Sequence, residues 1–174
     1  MKKTNNKGFS LVELIIVIAI MAILAGAIAP ALIRYIDKSR KSNDLSAAKT
    51  IKTAVETAMS NEDTYAAFTD TGATQPVLEL TPGGTAIASI AEHGVWTNAA
   101  SGADTDAKTE IFNNLSQSIP KIKYKKDADG SGASGKPDTW YVQCSTTGQV
   151  EVYLGNSGNK TLYQLVPETC KYYQ

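Results

Sequence analysis

One histidine, His93, and two cysteines, Cys144 and Cys170, are all the imidazole and thiol that 174 residues contain. A lone imidazole without a matched nucleophile forms no catalytic triad. Neither zinc-ligand spacing nor a phosphate-cradling glycine loop accompanies it, so the chain reads as a non-enzyme. An excess of either charge is missing too: 17 basic residues balance 17 acidic ones. Bulk electrostatics therefore gives no reason to expect a nucleic-acid partner or a polybasic membrane binder. Internal repeats are absent.

Hydrophobic residues make up 43% of the chain, ordinary for one soluble domain if evenly spread. They are concentrated instead in LIIVIAIMAILAGAIAPALI, Leu14 to Ile33, which carries no charge. As a helix, twenty residues span roughly 30 Å, the thickness of a bilayer's hydrocarbon core. The basic tail MKKTNNKG ahead of it suits a signal peptide's n-region. Removal of the whole segment is disfavoured, because the run is long for a signal core, Glu13 sits at its entrance, and the small-residue site Ala27-Ile28-Ala29 is followed by Pro30. A plain signal anchor remains open, since basic residues flank both ends of the run.

Past Arg34 the apolar residues Leu45, Ala48, Ile51, Val55, Ala58 and Met59 recur at three- and four-residue steps, with Asp44, Lys49, Lys52 and Glu56 between them. This spacing predicts an amphipathic continuation of one helix from about Phe9 to Ser60. Pro30 has no N–H for the carbonyl of Gly26, so a kink or local melting is expected between them. Ala19, Ala22, Ala25 and Gly26 offer small surfaces for close helix approach.

Residues 61–120 are rich in Thr, Ala, Gly and Asn, with short helices expected at Thr85 to Glu92 and Asp104 to Ser118. Strand-like stretches follow at Lys121 to Lys126, Thr139 to Ser145, Gln149 to Leu154 and Thr161 to Val166, favouring an antiparallel meander against the helix. Alternation in KIKYKK makes a half-buried strand a better reading than a nucleic-acid patch. DADGSGASGKPD places Asp127, Asp129, Ser131 and Asp138 at positions one, three, five and twelve of a calcium-loop pattern, with Gly132 at six. Calcium there competes with a solvated glycine-rich turn; no other cofactor is expected. In an exported domain, Cys144 and Cys170 are expected to be bridged, with two free thiols as the alternative.

Gly8-Phe9-Ser10-Leu11-Val12-Glu13, followed by the apolar run with Pro30 inside it, closely resembles the class III signal of type IV pilins and pseudopilins. The resemblance implies cleavage of a 1–8 leader between Gly8 and Phe9 by a membrane peptidase that also methylates the new N-terminus. It implies an α+β pilin-like fold, a long N-terminal helix on a C-terminal antiparallel sheet. The implied layout is a membrane and filament-core helix over 9–33, an amphipathic half over 34–60, a variable region over 61–120 and a sheet with a disulfide loop over 121–174. Implied partners are the membrane, the processing peptidase, an assembly platform with its ATPase and, above all, further copies of the chain in a helical homopolymer. The N-terminus would be cytoplasmic before assembly, and the assembled pilus extracellular.

Within that resemblance, Glu13 becomes the fifth mature residue, able to meet the freed amine of a neighbouring Phe9. The simpler alternative is that Glu13 caps the first helical turn. The Gly26 to Pro30 segment resembles one that unwinds in assembled pilins. A major pseudopilin of a secretion or DNA-uptake machine shares these features, and a signal-anchored surface binding module is the alternative of a different class.

Overall fold

The computed structural model describes residues 9–62, 64–65, 77–93, 103–130, 132, 135–145 and 148–174. They fall into two units, Met1–Ser39 and Arg40–Gln174. Helix α1 spans Leu11–Ala58 and contains Pro30, so in the single chain the stretch from Gly26 to Pro30, where a kink or local melting is expected, stays within the helix.

In the second unit, α1 buries a stripe formed by Asp44, Ala48, Ile51, Val55 and Ala58. Its steps of four, three, four and three residues follow the helical period and put all five on one face. Lys49 and Glu56 lie exposed on the opposite side. Lys52 pairs with Glu56 at 3.5 Å, one turn on.

The stripe packs on an antiparallel sheet of five strands, β1 (Val77–Leu80), β2 (Ile90–His93), β3 (Thr139–Cys144), β4 (Val150–Asn156) and β5 (Asn159–Val166), in the order β2-β1-β3-β4-β5. Helix α2, Ala103–Asn114, completes the unit, tied to α1 where Asn114 donates to the Ala54 carbonyl at 3.2 Å. Alternation sends Leu78, Leu80, Trp140, Val142, Val150, Val152 and Leu154 into one core with the α1 stripe. The fold is thus the α+β arrangement expected, and helix α2 and strands β3 to β5 lie close to where the pattern put them.

Three expectations need correction. Thr85 to Glu92 is not a helix: a single 3-10 turn at Ile87–Ser89 leads into β2, which pairs with β1. The sheet consequently draws two strands from the 61–120 region. Between them Gly83 takes φ +76, and the Ser89 side chain approaches Gly84 so closely that a β-carbon there would lie 2.3 Å from it.

Lys121 to Lys126 is not a strand either. Ile122 and Tyr124 do turn inward, but the amides of Lys123 and Tyr124 donate to the Asp44 carboxylate rather than to a neighbouring strand. Asp44, which the sequence suggested for the polar face, is fully buried.

Candidate assembly surface

The N-terminal unit displays what a water-soluble helix hides. Leu14, Ile18, Met21, Leu24 and Ile28 are exposed, and an 18-residue window of α1 has mean hydropathy 2.9 with none of it buried. The helix is long and apolar enough to cross a membrane. A surface apolar all round is stable only when lipid or other helices cover it. Ala19, Ala22, Ala25 and Gly26 notch this surface, and a β-carbon added at Gly26 would meet nothing within 4 Å. An incoming helix could approach its backbone closely there.

At the head of the helix, Ser10 donates its backbone N–H to Glu13 Oε2 at 3.0 Å, and its carbonyl accepts from Leu14 at 3.2 Å. This is half of a capping box, which satisfies an otherwise orphaned amide and places a negative charge in the first turn, where the helix dipole favours it. In the single chain Glu13 is therefore a cap. Phe9, one residue before, is 82% exposed. Gly8 and the leader lie outside the described residues.

The second unit is fastened to its stretch of α1 by two side chains one turn apart. Asp44, 0% exposed, accepts from the Lys123 amide at 2.7 Å and from the Tyr124 amide at 2.8 Å. Burial raises its carboxyl above the usual value, against the opposing pull of those two amides. Lys41 donates to the Tyr172 carbonyl and lies over the rings of Tyr124 and Tyr173, 5.0 and 5.7 Å from their centroids. Tyr173 packs edge-on against Tyr124 at 5.9 Å and tilted against Tyr163 at 5.6 Å. The C-terminal segment and the 119–126 connection, neither of them regular structure, are held in this way. Asp44 stands four residues before Ala48, in the register of the buried stripe, but its charge put it with the polar residues in the sequence reading.

A model of the prokaryotic N-terminal methylation motif matches residues 3–29. The type IV major alpha-pilin of Moraxella bovis is 35% identical over 134 residues, covering 72% of this chain and 82% of that protein. The chain belongs to the type IV pilin family. The type IV major pilin protein PilA of Myxococcus xanthus is 38% identical over 64 residues, 37% of this chain and 29% of that protein. A type IV major fimbrial protein FimA of Dichelobacter nodosus is 42% identical over 57 residues, 33% of this chain and 36% of that protein. No solved structure gives a significant match.

In this pilin the expected disulfide is not formed: Cys144 and Cys170 are free thiols. Cys144 ends β3 and pairs with Val150 of β4, whereas the Cys170 amide donates to Gln164 of β5 at 2.9 Å. At least two strand spacings, roughly 9–10 Å, intervene, beyond the Cα separation of about 7 Å that a disulfide can bridge. Cys144 is buried with its sulfur 4.0 Å from that of Met59, and burial pushes its thiol up to about 11.

The glycine-rich loop is organised by a tyrosine. Asp127 accepts from the Tyr163 hydroxyl at 2.6 Å and from the Gly132 amide at 2.6 Å. The same hydroxyl accepts from Ala128 at 3.0 Å. Asp138 accepts from the Thr139 hydroxyl at 2.8 Å. Ser131 lies outside the described residues. Among the described residues no group of three or more acidic, histidine or cysteine side chains converges as metal ligands would. The Asp127 oxygens serve a turn, and Gly130 and Gly132, each at φ +70, supply its left-handed backbone. The side chain of His93 is likewise outside what the structure describes.

Proposed function

We propose that the chain is the repeating subunit of a type IV pilus, made as a membrane-anchored prepilin, cleaved after Gly8, methylated at Phe9 and polymerised through its N-terminal helix. The observation that carries this reading is the uncovered apolar surface over residues 14–33, together with a carboxylate four residues past Phe9. The processing peptidase, the assembly platform and its ATPase are the partners this route needs. The N-terminus would start in the cytoplasm and the pilus would end outside the cell.

The physics of the transfer is an exchange of covers. In the bilayer, lipid covers the apolar helix; in the filament, copies of the same helix do, so little hydrophobic free energy separates the two states. Close packing at the Ala and Gly notches then contributes association that lipid cannot. Glu13 sits at the edge of this surface. A carboxylate carried to the centre of a membrane helix costs about 2.5–3.5 kcal/mol, and the freed amine of a neighbouring Phe9 would offset it. A buried ion pair adds little net stability but penalises wrong registers, where each charge is left alone. Identical head-to-tail contacts that combine a rotation with a rise do not close, and they generate an open filament.

Glu13→Gln separates the cap from the ion pair, because glutamine keeps an acceptor for the Ser10 amide and loses the charge. Filaments sheared from cells carrying the variant should fall severalfold, with processed subunit accumulating in the membrane fraction. Wild-type yield from Glu13→Gln would sink the pairing role and leave Glu13 as a cap.

A further inference from the structure

We propose that Asn159 is an acceptor for an N-linked glycan, taking a sugar activated at its anomeric carbon as a diphosphate ester. The inference rests on the exported subunit proposed above, whose head leaves the cytoplasm. An asparagine two residues ahead of serine or threonine, with no proline between, is the pattern such a transfer uses in an exposed loop of an exported domain. The chain contains it twice, at Asn114-Leu115-Ser116 and at Asn159-Lys160-Thr161. The fold treats the two differently.

Asn114 is already committed, because its amide nitrogen donates to the Ala54 carbonyl at 3.2 Å and ties α2 to α1. Asn159 opens β5 just past the turn Ser157-Gly158, whose shape Asn156 sets: its Oδ1 accepts from the amides of Gly158 and Asn159 at 3.0 and 2.9 Å. From Asn156 opposite Asn159 the register jumps to Leu154 opposite Tyr163, so Lys160, Thr161 and Leu162 stand against Gly155 alone. A bulge of this kind interrupts the ladder and re-aims side chains. Within it the Thr161 amide donates to Asn159 Oδ1 at 3.3 Å. Asn159 and Thr161 are both exposed. Among the described residues, neither Asn159 Nδ2 nor the Thr161 hydroxyl has a hydrogen-bond partner.

A carboxamide nitrogen is a poor nucleophile, since its lone pair is shared with the carbonyl. The bond from the Thr161 amide stabilises negative charge on Oδ1 and so makes an Nδ2 proton easier to remove. In the transfer, Nδ2 forms a bond to the anomeric carbon and one Nδ2 proton passes to a carboxylate base of the transferring enzyme. The bond from that carbon to the phosphate oxygen breaks, and the diphosphate leaves with the electron pair. The donor can be carried by a lipid or by a nucleotide; the chemistry at Asn159 is the same.

The full chain, recovered from the membrane and sheared-filament fractions of its own cells, is digested and read by fragment mass spectrometry. The peptide containing Asn159 should carry added sugar mass on that side chain, and the peptide containing Asn114 none. Thr161→Ala should abolish the addition and Thr161→Ser should keep it. Asn159→Asp retains an acceptor for the Thr161 amide and loses the nucleophile, so it should abolish the addition while the melting temperature stays at the wild-type value. Incubation of the unmodified full chain in detergent with washed cell membranes, or with the soluble extract, identifies the donor: transfer from membranes alone assigns a lipid carrier, and transfer that needs the extract assigns a nucleotide. Sugar on Ser157 or the Thr161 hydroxyl overturns the site, as does sugar on Asn159 that survives Thr161→Ala. A bare Asn159 in subunits methylated at Phe9 overturns the site alone and leaves Asn159 as the cap of a bulge. A bare chain found only in the soluble fraction overturns the exported subunit and the site with it.

Discussion

Asp44→Ala should loosen the head from its helix by an amount the structure allows to be worked out. The substitution removes both oxygens that accept from Lys123 and Tyr124 at 2.7 and 2.8 Å. A buried amide left without an acceptor costs about 1–3 kcal/mol, so two cost roughly 2–6 kcal/mol. Relief of a desolvated carboxylate offsets part of this, leaving a net loss of about 2–4 kcal/mol. For a unit of this size each kcal/mol shifts the melting temperature by roughly 3 °C, so the head transition should fall by about 6–12 °C. Circular dichroism of the full chain in detergent micelles at pH 7 measures it. Asp44→Asn keeps one acceptor and should lose about half as much.

The pH dependence carries a sign. Burial raises the folded carboxyl above its ordinary 3.8, so this group's contribution to stability is fullest below that value and declines as pH rises through the folded pKa. The margin of wild type over Asp44→Asn should accordingly widen on acidification from pH 7 toward pH 4. A melting temperature of Asp44→Ala within 1 °C of wild type, or a margin that narrows in acid, would refute the reasoning.

Three other outcomes follow from single contacts. Tyr163→Phe removes the hydroxyl that donates to Asp127 and accepts from Ala128, and should cost about 1–2 kcal/mol in thermal unfolding. Gly155→Ala would place a β-carbon 2.4 Å from the Lys160 carbonyl oxygen; overpacking of that kind costs about 1–3 kcal/mol, and an unchanged melting temperature would show that the β4–β5 hairpin yields. In native protein at pH 8, Cys144, buried and with its thiol pushed up to about 11, should resist iodoacetamide while the partly exposed Cys170 reacts, as mass spectrometry of the alkylated peptides can show.

The features legible in the sequence were those with a strong period. The uncharged run from Leu14 to Ile33 and the three- and four-residue steps past Arg34 gave α1 almost to its ends. Strands β3 to β5 announced themselves by Val, Tyr and Leu alternating between turn residues. Strands β1 and β2 did not, because four residues carry too little pattern and the Ala-Ser-Ile-Ala-Glu stretch suits a helix locally until pairing with Val77–Leu80 overrides it. KIKYKK has a strand's alternation but bonds to a side chain on the helix, a partner that no local pattern can name. Asp44 lay in the buried register all along, four residues before Ala48, where its charge argued for the surface. The cysteine pairing failed because sequence gives the number of thiols and not the strand that separates them.

The central claim is that an apolar helix beginning at Phe9 stays on the subunit and becomes the filament's core. Intact-mass and N-terminal peptide mass spectrometry of filaments sheared from cells tests it most directly. The account predicts a subunit whose first residue is an N-methylated Phe9 and which keeps the apolar run from Leu14 to Ile33. A filament subunit that retains Met1 to Gly8, or one that begins beyond Ile33, would contradict it.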